Sequence, residues 1–505
     1  MQDVAIVGGG VCGLALAGDL GRAGRDWALF ESRPRLGGRI LGSNDGSGTL
    51  DLGATWFWPE RQSLVADLVA GLGLRVIPQH DSGTVLLLRD AEAGPETQGT
   101  GPVHGGACRV AGGMAGLVDR MAAGLDPVRL HLGHVLTAVT DNGDHVRLQF
   151  ETGAGPVEVT ARQVVLALPP RLLAERVRFD PPLDPSVMVE MAAAATWMAS
   201  QAKAVVRFPQ AGWRDEGASG NAFVTHERAV LAEIFDLCDP GAAGGALGGF
   251  LALTPETRRD FRTGLPMLVA NQMGQVFGAS ATGGAPVIQD WAEEVFTASR
   301  RDLEEDGAAD RTPGGPALRR AHWQGRLHFA GSETARRGAG HIEGALDSAR
   351  RTGRQLALAV TMPEPAAGPI DLADWLDAQR EPVFEAYRSE LTRRLSRQDS
   401  DRLTQLAALR AVEDLLDDAL VVLAQRPAGG AAALAEVKAE VRAFLNRFAG
   451  EVMAFNRSSC ALRAFPDEHA LPKAYLQAIL ADMAAAGGAF LIEADAILRA
   501  RTEAA

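Results

Sequence analysis

Tyrosine is almost missing from this chain. Only Tyr387 and Tyr475 occur among its 505 residues, so a pocket built from residues 1–360 must take its aromatic walls from Trp, Phe or His. Lysine is as scarce: of 50 lysines and arginines, only Lys203, Lys438 and Lys473 are lysine. Generic positive charge is carried by arginine, and the single lysine in the first 360 residues calls for a specific reason. The four cysteines, Cys12, Cys108, Cys238 and Cys460, lie far apart with no CxxC. That argues against a zinc cluster or a disulfide framework, so no metal is expected, and it suits a reducing compartment. No apolar run reaches the ~18 residues of a membrane span. The first apolar strand starts at residue 3 and leaves no room for a leader, so the expectation is a cytoplasmic protein with no membrane span. Basic clusters interleaved with aromatics are lacking and the formal charge is −13, so no nucleic-acid partner is expected.

What is present is organised around the first thirty residues. An apolar run, Asp3 to Val7, ends in Gly8-Gly9-Gly10-Val11-Cys12-Gly13. A helix-like pattern follows from Leu14 to Ala23, and a second apolar run, Trp27 to Phe30, ends at Glu31. This order of strand, glycine turn, helix, strand and acid is that of a dinucleotide site. Gly8 allows the tight turn, Gly10 lets a pyrophosphate approach the backbone, and Gly13 lets helix and strand pack closely. The small Cys12 fits inside the phosphate loop, and the N-terminus of the helix that follows points free N–H groups at phosphate. Glu31 can accept hydrogen bonds from a ribose.

Further on, Ser32-Arg33-Pro34-Arg35-Leu36-Gly37-Gly38-Arg39 forms a turn whose glycines and arginine suit an anion. Asp51-Leu52-Gly53-Ala54-Thr55-Trp56-Phe57-Trp58 sets small residues beside bulky aromatics. The small ones suit close approach to a flat ring and the large ones a pocket wall. Alternation over Leu130–Val139 and His145–Phe150 predicts strands, and Val164–Leu168 a buried strand. Ala204–Phe208, Asn221–Thr225, Ala229–Phe235 and Gly249–Leu253 suit an antiparallel sheet, and Pro266–Phe277 a helix. A linker is expected at Thr361–Gly368. Beyond it, Asp371–Ser396, Ser400–Gln425, Ala431–Asn456 and Leu471–Arg501 carry apolar residues at helical spacing, which predicts an antiparallel bundle.

The glycine turn with Glu31, then Gly37-Gly38-Arg39, Asp51 to Thr55, Gly112-Gly113-Met114, Val164 to Pro170, and finally Leu327-His328-Phe329-Ala330-Gly331-Ser332-Glu333-Thr334 with Gly340-His341-Ile342-Glu343-Gly344-Ala345 resemble, in that order, the flavin-containing amine oxidase family. That family includes monoamine, polyamine and L-amino-acid oxidases. The likeness covers roughly residues 1–360. It implies an α/β Rossmann-like FAD-binding domain (1–74, 104–192 and 316–360) interleaved with an α+β substrate domain of antiparallel sheet (75–103 and 193–315). The all-α helical bundle of residues 366–505 has no counterpart in it. Residues 60–103 are short where larger members carry a helical insertion.

The resemblance also implies roles. Gly8, Gly10, Val11, Cys12, Gly13, Glu31, Ser32, Gly38, Arg39, Gly53, Ala54, Thr55, Val135, Gly331, Glu333, His341 and Ile342 would hold FAD. The attachment would be noncovalent, since the cysteine that monoamine oxidases use would fall near residue 300 and none is there. Lys203 aligns with the lysine that holds a water against flavin N5, and His341 takes the place of a cage tyrosine; both are catalytic candidates. Trp56, Trp58, Trp291 and Phe296 are the candidate pocket wall. Glu294, and the pair Glu233 and Asp236, are acids that would contact an ammonium or else serve structure. The implied reaction is hydride transfer from the carbon beside a neutral amine to flavin N5, giving an imine that water hydrolyses, with O2 as acceptor and H2O2 as product. Two other readings stand beside it: a flavin dehydrogenase or desaturase acting on a non-amine, and an assembly protein working through residues 366–505 as a homo-oligomer or with a protein partner.

Overall fold

The computed structural model describes residues 1–44, 46, 48–240, 244–305, 314–361, 371–396, 402–423 and 431–503. They form two compact units, one of residues 1–314 and 330–349, the other of 315–329 and 350–505.

In the first unit the strand Gln2–Val7 is the centre of a sheet. It pairs in parallel with Trp27–Glu31 on one side and with the end of Gly155–Leu166 on the other. Val4 to Val7, Trp27 to Phe30 and Val164 to Leu166 are all almost fully buried, as expected of parallel strands covered on both faces. The helix Val11–Arg22 makes the crossover between the first two strands. Strands Val146–Thr152, Val135–Asp141 and Arg178–Asp180 extend the sheet at one side, and Leu130–Leu132 closes it beside Trp27–Glu31. The single strand expected over Leu130–Val139 is interrupted at Gly133, whose φ of +70° turns the chain.

A second sheet runs Val287–Asp290, Ala202–Phe208, Gly245–Leu251, Leu231–Asp236, Ala218–Val224, Thr84–Leu88 and Glu96–Thr100. Its pairs are antiparallel except that between Ala218–Val224 and Thr84–Leu88. Register sets one row across it: Lys203 lies opposite Phe250, and Phe250 opposite Glu233. Residues directly opposite one another present side chains to the same face. Gly248 makes room here, since a Cβ on it would sit 2.4 Å from the Phe235 ring.

The second unit is helical. From residue 371 on, its α-helices among the described residues are Leu372–Ala378, Arg380–Ser396, Leu403–Leu423, Ala431–Ser458, Pro466–Ala470 and Lys473–Glu503. The expected first helix is broken at Gln379; Pro382, which lacks an N–H, fits the first turn of the new helix. Their apolar stripes meet in one core that includes Leu376, Tyr387, Leu415, Phe448 and Phe490. Both tyrosines of the chain serve a buried polar network. Tyr387 donates to Asn456 Oδ1 at 2.5 Å, and Tyr475 donates to Glu468, whose two oxygens also accept Leu403 N at 2.8 Å and Thr404 N at 2.9 Å. Glu468 thereby caps a helix start 65 residues away in sequence. By length and composition one stretch, Lys473–Arg499, is apolar enough to cross a membrane, with a mean hydropathy of 1.5. Leu476, Ile479, Leu480, Phe490, Leu491 and Ile492 supply most of that mean, in a stretch that Asp482 and Glu493 interrupt. The linker expected at Thr361–Gly368 lies, beyond residue 361, outside the described residues.

Candidate functional site

The glycine turn has three different reasons for its three glycines. Gly8 has φ of +112° and a Cβ on it would meet Ala167 O at 2.4 Å. At Gly13 the Cβ would lie 2.0 Å from Gly8 O, so only glycine lets the helix close on the strand. Gly10 has nothing within 4 Å of that position: its open side faces a cavity. Glu31, 3% exposed, has its Oε2 on Gly9 N at 2.7 Å and its Oε1 on Arg33 N at 2.9 Å and Ser32 Oγ at 3.1 Å. Arg33 is itself held by Glu294 and Thr297 and lies over the Phe296 ring at 5.5 Å. Glu294 is therefore a structural partner of the turn.

The cavity measures about 1070 Å³. Every cofactor, catalytic and pocket-wall candidate except Gly13 lines it: Gly8, Gly10, Val11, Cys12, Glu31, Ser32, Gly38, Arg39, Gly53, Ala54, Thr55, Val135, Gly331, Glu333, His341 and Ile342, together with Lys203, Trp56, Trp58, Trp291 and Phe296. Of the aromatic trio, Trp56 and Trp58 face the cavity while Phe57 is 1% exposed in the opposite direction, the alternation of extended chain.

Glu333 stands at a crossing. Arg39 Nη2 lies 2.7 Å from Glu333 Oε1 as an ion pair, and Ser332 Oγ donates to Oε2 at 2.9 Å. Oε1 is buried and takes no well-directed hydrogen bond. Arg39 also donates to Ser332 Oγ at 2.8 Å and to Trp197 O at 3.0 Å. Thus three chain segments are tied together at one corner of the cavity. Gly331, with φ of +108°, turns the chain into this corner. The helix Ile342–Thr361 begins there, and Glu343 in its first turn accepts Leu64 N and Val65 N.

Lys203 is 2% exposed and donates to Gly53 O at 3.1 Å and to Thr55 Oγ1. Its ammonium lies 5.3 Å from the Phe235 ring centre and 5.8 Å from those of Trp56 and Phe250. Burial lowers its pKa to about 8, opposed by the nearby charge of Asp51; burial in turn raises Asp51 to about 6. A lysine whose pKa burial pushes down inside a cavity is a marker of a working site.

Sequence reasoning missed Trp197, which also lines the cavity. It stacks on His341, ring centres 5.7 Å apart and planes 27° apart, and a Cβ on Gly340 would lie 2.4 Å from Trp197 Cβ. His341 Nδ1 is 2.9 Å from Ala339 O. Met198, next in the chain and also lining, has φ of +63°, a strained backbone for a non-glycine residue. Phe250 was missed as well. Glu233 lines the cavity, whereas Asp236 does not. Asp236 is fully buried and taken up by Arg214, Trp213 Nε1 and Cys238 N. Trp291 lines the cavity with its Nε1 committed to Leu52 O at 3.2 Å.

The open side of Gly10, the two-oxygen acceptor at Glu31 and the buried Glu333 Oε1 fit a dinucleotide with an extended ring system, as FAD is. Among the described residues no group of three His, Cys, Asp or Glu could hold a metal.

Comparison with known proteins bears on the same residues. The family described as flavin containing amine oxidoreductase matches residues 93–357, just over half of the chain, and an NAD(P)-binding Rossmann-like domain matches residues 6–72. A putrescine oxidase of Kocuria rosea is 25% identical, over 69% of this chain and 94% of that protein. Amine oxidase [flavin-containing] B of Sus scrofa is 26% identical over 59% of this chain, which spans 56% of that protein. In fold, the chain is similar to the solved cyclohexylamine oxidase from Brevibacterium oxydans IH-35A, with a TM-score of 0.56 at 18% identity over 72% of this chain and all of that one. This chain belongs to the flavin containing amine oxidoreductase family and is an FAD-dependent oxidoreductase.

Proposed function

We propose that this protein oxidises an aliphatic amine that carries a second cationic nitrogen, with noncovalent FAD and with O2 as electron acceptor. The observation that carries the reading is the row Lys203, Phe250, Glu233 across the substrate sheet, all three lining the cavity that Gly10, Glu31 and Glu333 also line.

Glu31 would accept the adenosine ribose hydroxyls, and the N-terminus of Val11–Arg22 would face the pyrophosphate. Val135 would meet the adenine. Arg39, Glu333 and the first turn of Ile342–Thr361 would take the flavin end. When bound, FAD would supply the acceptor for a hydride, that is two electrons with one proton, from the carbon beside the amine nitrogen, and would pass the two electrons on to O2.

The protein's own part is positional and electrostatic. Trp197, His341, Trp56 and Phe250 give the reacting amine an apolar surround that favours its neutral form, because an ammonium is penalised there. Lys203 presents a fixed donor and, when charged, favours charge that develops as O2 is reduced. Glu233 accepts the remote ammonium. Two strand spacings, roughly 10 Å, separate its backbone from that of Lys203, a reach that suits a short diamine. The putrescine oxidase among the relatives is named for a substrate of this kind.

The test is a peroxide-coupled screen of the flavin-loaded enzyme against butane-1,4-diamine, pentane-1,5-diamine, butylamine and benzylamine. Diamines should exceed butylamine in kcat/KM. Absence of peroxide, together with flavin that no amine bleaches anaerobically, would refute the reading.

A further inference from the structure

Glu233 lines the cavity with a side chain 28% exposed. Behind it, outside the lining, stands His104, whose side chain is 8% exposed. His104 Nε2 is 2.9 Å from Glu233 Oε1. A carboxylate only accepts, so Nε2 carries the proton of that bond. On the other edge of the ring Nδ1 is buried and makes no hydrogen bond, with Asp81 Oδ1 3.7 Å away. Asp81 also accepts the His104 backbone N–H at 3.2 Å and the Asn221 side chain at 2.9 Å. The flat face of the ring is fixed by Trp56, stacked at 4.4 Å with planes 24° apart. Trp56 is pinned in turn through Nε1 to Gln79 Oε1 at 2.8 Å, and Gln79 donates to Asp236 O at 2.8 Å.

Each degree of freedom of this imidazole is therefore taken: its plane by Trp56, its base by the backbone bond to Asp81, its tip by Glu233. A merely packed histidine would not need all three. A glutamate on a strand has three rotatable bonds, and holding it in one rotamer out in a wide cavity requires a partner. With Oε1 occupied from behind, Oε2 is left as the free acceptor toward the cavity.

We propose that His104 is a positioning residue: held by Asp81 and Trp56, it aims the Glu233 carboxylate into the cavity and so sets the preference for substrates with a second cation. This rests on the amine-oxidising reading above. It assigns to the loop containing His104 a part in substrate choice rather than in the redox step.

The experiment compares kcat/KM for butane-1,4-diamine with that for butylamine in flavin-loaded wild type, His104→Leu, His104→Asn and His104→Gln, with flavin content checked in each. His104→Leu removes the donor, and His104→Asn keeps an amide too short to reach Glu233. In both, the diamine-to-monoamine ratio should fall about tenfold, the scale of a hydrogen bond to a charged group, with the change in KM for the diamine rather than in kcat. His104→Gln, which restores a donor, should recover the ratio to within threefold of wild type. If His104→Leu does not retain flavin, the contrast between His104→Asn and His104→Gln decides. A wild type that oxidises amines and prefers the diamine, with a ratio unmoved in His104→Asn, overturns the role of His104 and leaves the reading of the site standing. A wild type that oxidises no amine overturns both.

Discussion

Raising the pH from 7 to 9 should act on this cavity mainly through Lys203. Burial holds that ammonium near a pKa of about 8 instead of 10.5. About nine-tenths of the molecules then carry the charge at pH 7 and about one-tenth at pH 9. If the ammonium assists oxygen reduction, the second-order rate constant for reoxidation of reduced flavin should fall by close to tenfold over that interval, with a midpoint near 8. The assay is stopped flow: the flavin is reduced without oxygen, then mixed with oxygenated buffer at each pH. Lys203→Met should give a low rate constant that does not change with pH. Asp51→Asn should move the wild-type midpoint downward, because the Asp51 charge is what raises the lysine against burial. A flat wild-type profile, or a Lys203→Met profile that keeps its step, would refute the assignment.

The same group makes a stability statement whose sign can be worked out. Its folded pKa lies below its unfolded one, so between about 8 and 10.5 the unfolded chain binds the extra proton and stability rises with pH. Below pH 8 the burial of the charge costs on the order of 3 kcal/mol, and that cost is gone above 10.5. The difference in unfolding free energy between apo wild type and apo Lys203→Met should therefore shift toward wild type by that order across the window. Chemical denaturation of both proteins at pH 7.5 and 10.5 reads it.

Two other outcomes are expected. Glu31→Ala leaves the buried N–H groups of Gly9 and Arg33 without their acceptor and takes away the proposed ribose acceptor, at about 1–3 kcal/mol for each lost partner. The purified variant should carry markedly less FAD than wild type after gel filtration, and equal flavin content would end the assignment. Acid precipitation of the holoenzyme should leave yellow flavin in the supernatant; colour that stays with the pellet would mean a covalent link.

How much of this was legible in the sequence follows from the range of the interactions. Gly8, Gly10, Gly13 and Glu31 could be read because their geometry is local: one turn, one helix start and the end of the next strand fix all four. Lys203 could be singled out because the chain otherwise uses arginine. The helices after residue 371 showed as period, but the break at Gln379 needed attention to Pro382. Trp197 was visible only six residues before Lys203, with no pattern to mark it as a partner for His341; the contact depends on Gly340 having no Cβ.

The row proposed to meet substrate was hidden for a deeper reason. Glu233 and Asp236 are three residues apart on one strand, and an alternating pattern puts them on opposite faces. Composition cannot say which face is the cavity. That depends on Lys203 meeting Phe250, and Phe250 meeting Glu233, across two antiparallel pairings whose register a one-residue slip would invert. Once the register is fixed, the two acids separate in kind. Asp236 turns inward to Arg214 and serves the fold, while Glu233 turns to the cavity with His104 behind it. Strand pairing thus decides which of two candidate acids reaches the cavity, and the substrate role proposed for Glu233 rests on that placement.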